Sequence, residues 1–460
     1  MNAIAMRISN SFTMDDEIKR FLNWVFIWVL LANAGYMALW FIGAPPRWWE
    51  IGVIGFTGLI VKRFPFWARY VSFVAVMIYS TLNFIGGMFN LSVSSLTYSI
   101  QFFLELKPDS AVEYIIVGIS ILAVLAVAFK LLRRDTNFSR PSLILAAAAL
   151  FFGLSAIDLQ IGKGMRGHYK RLAPEGALFT SATNETKFAT RADGKRNLVL
   201  IVVESLGVPA TNAEMKRLLF RPYKDSSEVA ARYDISQGQS LYYNSTTAGE
   251  VRELCGRWGD YYDLVDKPDT NCMPAILGRK GYNTIAMHSF SETFFQRGEW
   301  YPNIGFKTRL FDRDLEKKGA RQCGGVFAGA CDRDIPAQIS EHLKNAKQPT
   351  FLYWLTLNSH LPVPPGLNLD VDNCARISPI LVRDFPQICR QFNIWHDIDT
   401  AMVKQITAED FPDTDILIVG DHMPPYFDRH HRTQFDPEHV PYLYLRRKDG
   451  VSDSTKIASK

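Results

Sequence analysis

Glu204 directly follows LIVV in the run NLVLIVVES (197–205), and Asp421 and His422 directly follow TDILIVG (414–420). A carboxylate at one strand end, facing a carboxylate–imidazole pair at another, suits a divalent metal such as zinc or manganese. By itself Asp421–His422 reads equally well as a capping acid beside a surface histidine. A third element is NSTTAGEVRELCG (244–256), where Thr246 and Thr247 precede a helix expected to start near Ala248. A threonine there is commonly a cap. The same place suits a nucleophile, because nearby backbone N–H groups can hold a phosphoryl oxygen and a metal would supply alkoxide character. Histidines form a fourth element. His288 follows the run ending NTIAM, His360 follows TLNS, and His430 and His431 lie in the loop after the Asp–His pair. Neutral or charged imidazole there can hold a phosphate oxygen or protonate a leaving alkoxide. Arg297, nine residues after His288, offers a bidentate fork for phosphate.

Those residues need strands that end together. The run 197–205 is β-branched and leucine-rich, as a strand buried on both faces is. Further strands are expected at 283–287, 350–357 and 414–420, with helices at 213–219, 332–345 and 396–407. Alternation of this kind implies an α/β sandwich, and open α/β sheets place their sites at the carboxyl ends of strands. The stretch after the first strand, ESLGVPA, carries neither GxGxxG nor GxxxxGK[ST], so a glycine-rich phosphate loop is absent.

The first 160 residues are of another kind. Residues 22–44 run for 23 positions without a charge, long enough to span a bilayer. Segments 48–61, 70–89, 112–132 and 141–157 are also apolar, which gives five expected crossings. With the N-terminus inside, the inner segments hold ten basic residues and the outer loops only Arg47 and Lys107. That bias puts residues 161–460 outside. No segment carries several midplane charges, so this part reads as an anchor rather than a pump. The outer stretch 92–107 could lie at the interface. Residues 161–196 read as a linker with a surface helix.

Composition closes off other classes. A net charge of +5 over 460 residues excludes a nucleic-acid binder working by bulk electrostatics, and 48% hydrophobic content excludes disorder. All six cysteines fall between 255 and 389. An even number confined to the outer region fits an oxidising compartment. Their spacings suit bonds 255–272, 323–331 and 374–389, one of 15 pairings that six cysteines allow.

The order of these residues resembles the alkaline-phosphatase superfamily. Within it, the chain is similar to membrane-anchored sulfatase-like transferases: lipoteichoic acid synthases, phosphoglycerol transferases of periplasmic glucans, and lipid A phosphoethanolamine transferases. TTAGEVRELCG resembles the TxAG…CG pattern of the glucan-modifying members, MHSFSETFFQR the family's His–Arg motif, and LNSHLPV the SNHFP-like loop of lipoteichoic acid synthases. The resemblance implies a multi-pass helical membrane domain (1–160) and an extracytoplasmic α/β alkaline-phosphatase/sulfatase-like domain (197–460). It implies one divalent metal ion, zinc or manganese, held by Glu204, Thr246, Asp421 and His422. It implies Thr246 as nucleophile, with His288, His360, Arg297 and His431 handling the phosphoryl group. The expected reaction moves a phospholipid-derived headgroup to a cell-envelope glycan or glycolipid through a phosphothreonine. The protein is expected to be a monomer in the inner membrane with its catalytic domain in the periplasm. Phosphoglycerol is favoured, because the chain has SHLP where phosphoethanolamine enzymes show SHGP. A phosphoethanolamine transferase acting on lipid A, core sugars or capsule, or a phosphodiester hydrolase, is the alternative. From another class, a sensor or scaffold keeping the fold without catalysis is disfavoured by the intact Glu204, Thr246, Asp421 and His422. The CxPSR-type cysteine of arylsulfatases is missing, which argues against sulfate-ester hydrolysis.

Overall fold

The computed structural model describes residues 15–37, 40, 46–89, 112–165, 173–324, 327–361, 363, 365–366, 368–426 and 429–449. The chain divides into two compact units, residues 1–100 with 107–166, and residues 101–106 with 167–460. The expected interfacial stretch 92–107 lies outside the described residues.

The first unit is helical. A continuous helical path runs through Asp16–Val25, a π-helical segment Phe26–Leu31 and Ala32–Met37, followed by Trp48–Val61, Phe66–Phe89, Val112–Leu131 and Pro141–Met165. Its core holds Trp24, Trp28, Ile54, Phe73 and Phe151. Glycines let the helices close: a Cβ on Gly55 would lie 2.4 Å from Phe151, and one on Gly58 2.5 Å from Trp28. Leu122, Leu145, Phe152 and Phe56 are each more than 60% exposed, so large apolar side chains face outward as well as inward. Among the described residues one helix, over Pro141–Ile161, is long and apolar enough to cross a membrane, and Trp48–Val61 and Gly118–Leu131 are shorter apolar helices. Asp158 is buried near the end of the Pro141–Met165 helix, where it accepts from Trp40 Nε1 (2.8 Å) and the Arg47 backbone N–H (2.5 Å). Those donors satisfy an acid that the apolar helix would otherwise bury at a cost.

The second unit is an α/β domain. Its strands are β1 (Asn197–Val203), β2 (Tyr233–Leu241), β3 (Asn283–His288), β4 (Thr308–Leu310), β5 (Gln322–Cys323), β6 (Gly329–Ala330), β7 (Thr350–Leu355), β8 (Thr414–Gly420) and β9 (His439–Arg447). Seven form one sheet in the order β2-β9-β8-β1-β7-β3-β4, and β5 and β6 form a separate pair. The five strands β8, β1, β7, β3 and β4 are parallel, while β9 runs antiparallel to β8 and β2. Every residue of β1, β7 and β8 is buried, as strands covered on both faces require.

The four strands expected from sequence are these central ones and β3. The strands β2, β9 and β4 are additional. YDISQGQSL is half exposed and polar, and HVPYLYLRR carries a proline and a terminal arginine pair, so neither shows the apolar run of a buried strand. The expected helix at 396–407 belongs to a longer one, Pro386–Ile406, which starts ten residues earlier behind an N-terminal proline. Disulfides join Cys255–Cys272, Cys323–Cys331 and Cys374–Cys389, the pairing that the spacings suited.

Candidate active site

Val203 pairs with Gly420, so β1 and β8 end in register and the residues that follow them start side by side. Glu204 leaves β1 with its N–H bound to Thr356 Oγ1 (2.9 Å), while the Asp421 N–H reaches Val203 O (3.3 Å). A Cβ on Gly420 would sit 2.0 Å from Leu206 O, so only glycine lets the two turns cross. Ser205 takes a left-handed φ of 55°, unusual for a residue with a side chain. In that pose its N–H donates to Asp421 Oδ1 (2.8 Å) and its hydroxyl to Glu204 Oε1 (2.8 Å). One serine therefore orients both carboxylates, and strain at such a position is characteristic of functional sites.

Glu204, Asp421 and His422 are all buried, and one ligand atom from each lies within 4.8 Å of the others. His422 Nε2 is 3.5 Å from Glu204 Oε1 and 3.4 Å from Asp421 Oδ2. His422 Nδ1 lies 2.8 Å from Met423 O. A carbonyl only accepts, so the hydrogen is on Nδ1, and Nε2 is the ring nitrogen that faces the two carboxylates. Two buried carboxylates within 4.8 Å of each other repel until a cation sits between them. Asp421 Oδ2 is buried without a hydrogen bond. Burial, and then the charge of Glu204, push the Asp421 carboxyl up to about 7. A buried acid whose proton affinity its neighbour's charge raises, an imidazole nitrogen and an orphaned carboxylate oxygen fit a divalent metal.

Thr246 opens the Thr246–Cys255 helix, two residues earlier than expected, with Ser245 at the N-cap. Its Oγ1 donates to Glu204 Oε2 (3.1 Å) and lies 3.2 Å from His422 Nε2. Thr247 is not a cap. It sits inside the helix, and its hydroxyl is buried without a hydrogen bond. The helix ends on Gly256, whose φ of 63° suits glycine, and Cys255 ties that end to Cys272.

The other expected residues divide. His360 feels the charges of His422 and Asp421. Burial, and then His422, hold it down at about 4, and its Nδ1 donates to Leu361 O (2.8 Å). His288 ends β3 opposite Leu355 and donates from Nδ1 to Leu355 O (3.2 Å). Burial, and then Arg297, keep it well below the ordinary histidine range, and its Nε2 is buried without a partner. Both imidazoles are therefore neutral in the ligand-free protein. Arg297 is not an open fork. It is 1% exposed and pairs with Glu250 through Nη2 (2.7 Å) and Nε (3.1 Å). Tyr301 and Tyr353 hydroxyls complete the Glu250 carboxylate. His431 packs by its ring against Tyr426, Phe385 and His430, and the exposed His430 stacks on Phe385.

Sequence reasoning passed over Ser205, Glu250, Arg252 and Asp332. Asp332 Oδ2 accepts the N–H groups of Leu357 (2.9 Å) and Asn358 (2.6 Å), which shapes the loop leading to His360. Glu250, Arg252 and Glu253 look like the solvated face of a helix. Only their complete burial marks them.

A model of the Sulfatase family matches residues 196–449. The chain belongs to the Sulfatase family. The match spans β1 through β9 and contains every residue of the site. Solved structures similar to this sulfatase-family chain include the lipoteichoic acid synthase LtaP from Listeria monocytogenes, at 17% identity and TM-score 0.42 over 60% of this chain and 70% of that one. The phosphoglycerol transferase GacH from Streptococcus pyogenes, in complex with sn-glycerol-1-phosphate, is similar at 18% identity and TM-score 0.37, over 57% of this chain and 73% of that one. The integral membrane lipooligosaccharide phosphoethanolamine transferase A (EptA) from Neisseria meningitidis is similar at 14% identity and TM-score 0.35, over 94% of this chain and 72% of that one. At these identities and scores the likeness says nothing of substrate. No curated protein matches the chain. As a sulfatase-family enzyme it presents Thr246 beside the cluster of Glu204, Asp421 and His422.

Proposed function

We propose that this protein is a multi-pass inner-membrane transferase that moves a phospholipid-derived phospho-headgroup to a periplasmic glycan or glycolipid through a phosphothreonine on Thr246. The observation that carries this reading is the placement of Thr246 Oγ1, 3.1 Å from Glu204 Oε2 and 3.2 Å from His422 Nε2, at the start of a buried helix.

Glu204, Asp421, His422 and Thr246 would hold a divalent ion, which would lower the pKa of the threonine hydroxyl and offset charge on the phosphoryl oxygens. Thr246 directs its hydrogen at Glu204 Oε2, which leaves oxygen lone pairs for attack on phosphorus. A P–O bond forms to Thr246 as the bond to diacylglycerol breaks, and the proton that leaves Thr246 ends on the diacylglycerol oxygen. An acceptor hydroxyl then attacks the same phosphorus, and its proton ends on the Thr246 oxygen as that P–O bond breaks. First-turn N–H groups of the helix lack intrahelical partners and suit a phosphoryl oxygen. His288 and His360 carry their hydrogen on Nδ1, which makes Nε2 the nitrogen that exchanges protons with the acceptor and leaving oxygens. Arg297 acts through Glu250 and through its charge on His288.

Phosphoglycerol is the favoured headgroup and phosphoethanolamine the alternative. Intact-protein mass spectrometry after incubation with phosphatidylglycerol or phosphatidylethanolamine tests both. The mass gained on Thr246 names the headgroup. No adduct from either lipid, in protein loaded with zinc or manganese, would reject the transfer.

A further inference from the structure

We propose that Arg252 is a positioning residue that holds the metal-ligand turn at the depth of Thr246. The proposal deepens the reading above. It needs Thr246 and the metal cluster to act together, but not any particular headgroup.

Arg252 lies on the same helix as Thr246 and is 1% exposed. Its two Nη atoms reach out of the helix to successive carbonyls of the turn after β8. Nη2 donates to Gly420 O (2.7 Å) and Nη1 to Asp421 O (3.1 Å). Those are the residues on either side of the peptide that launches Asp421, and His422 follows directly. The planar guanidinium suits two neighbouring acceptors at once, which an ammonium does not match.

The fork is itself anchored from behind. Arg252 Nε donates to Glu253 Oε1 (2.7 Å). Glu253 also accepts the N–H groups of Ala182 (3.3 Å) and Thr183 (3.0 Å) at the start of the Ala182–Glu185 helix. The guanidinium therefore cannot swing without breaking a buried pair. Gly249 removes the remaining slack. A Cβ there would lie 3.0 Å from both Cα and Cβ of Asp421, so helix backbone and turn are in direct contact. Contact sets how near the two elements come, and Arg252 sets how they slide. Thr246 and Asp421 are thus placed by one helix, from opposite ends of the same contact. Groups that orient ligands in this way commonly change metal affinity ten- to a hundred-fold when removed.

The test uses full-length protein in detergent and manganese(II) alone, followed by its electron paramagnetic resonance signal. Arg252→Lys keeps a cation beside Glu253 but loses the fork, and Arg252→Gln is the second variant. Arg447→Lys is the control. Arg447 is a buried arginine paired with Asp413, just before β8 and at the opposite end of that strand. Both Arg252 variants are expected to bind manganese about ten- to a hundred-fold more weakly, with a broadened signal. Arg447→Lys is expected to lose stability yet bind as wild type does. Wild-type manganese affinity in folded Arg252→Lys and Arg252→Gln overturns the proposal. Unfolding of both, with Arg447→Lys folded, also overturns it, because Arg252 is then a folding residue. Wild-type protein that binds manganese but never acquires phosphothreonine rejects the transfer reading and leaves the Arg252 assignment standing.

Discussion

Thr246 and Thr247 are neighbours of the same type, separated by what their hydroxyls touch. Thr246 Oγ1 reaches Glu204 and His422, while Thr247 Oγ1 is buried with no hydrogen-bond partner. Thr246→Ala is expected to abolish adduct formation in the mass assay while binding manganese, since Glu204, Asp421 and His422 remain. Thr247→Val is expected to keep transfer and to hold or gain about 1 kcal/mol of unfolding free energy, because it replaces an unsatisfied buried hydroxyl by a methyl. Loss of the adduct in Thr247→Val but not in Thr246→Ala would exchange the two assignments. The two residues are indistinguishable by composition, and helix geometry alone says only that one of them faces the strand ends.

At the scale of elements, the Thr246–Cys255 helix is set by a close approach at its start and a cross-link at its end. Alanine is the better helix former by roughly 1 kcal/mol. Gly249→Ala is nonetheless expected to weaken manganese binding and transfer, because its Cβ would press on Asp421 at 3.0 Å. Calorimetric titration of the folded variant checks this, and unchanged affinity would mean the turn yields freely. Replacing Cys255 and Cys272 together by serine opens a 17-residue loop and is expected to cost about 2–4 kcal/mol, read from urea unfolding.

For the whole molecule two expectations follow. From the ten-to-two distribution of basic residues, the N-terminus is expected in the cytoplasm and residues 161–460 in the periplasm. Single cysteines introduced at positions 10 and 190, labelled from either side with an impermeant reagent, test it. Labelling of position 10 from outside would reverse the topology. The second concerns pH. Asp399 lines a small cavity with Val203, Leu206, Phe392 and Trp395, and burial pushes its carboxyl up to about 8. The folded state then keeps a proton that the unfolded chain releases near pH 4. Between these values the folded state binds more protons, so this contribution is full at low pH and is lost as pH rises toward 8. The slope is at most about 1.4 kcal/mol per pH unit. Urea midpoints between pH 5 and 8 should fall less steeply for Asp399→Asn than for wild type. Parallel slopes would show that Asp399 is not protonated in the fold.

Glu204, Asp421 and His422 were legible in the sequence because the apolar runs LVLIVV and ILIV mark central strands, and the residues after such a run lie at the strand's carboxyl end. The disulfide pairs were suggested by spacing, since short loops favour local closure. Thr246 was legible only through the resemblance of its motif. Other features are properties of packing. Arg297 has the type and spacing of a phosphate fork, yet the tertiary structure turns it onto Glu250, which a local reading takes for a solvated acid. β2 is an edge strand and β9 joins it to β8, so their pairing partners rather than their own composition define them. Arg252 acts on backbone carbonyls far along the chain and Ser205 through its own backbone amide on the Asp421 carboxylate, and a backbone group has no sequence signature. Side-chain chemistry at strand ends is written locally. Which charges are buried, and against whose backbone, is decided only when the strands stand side by side.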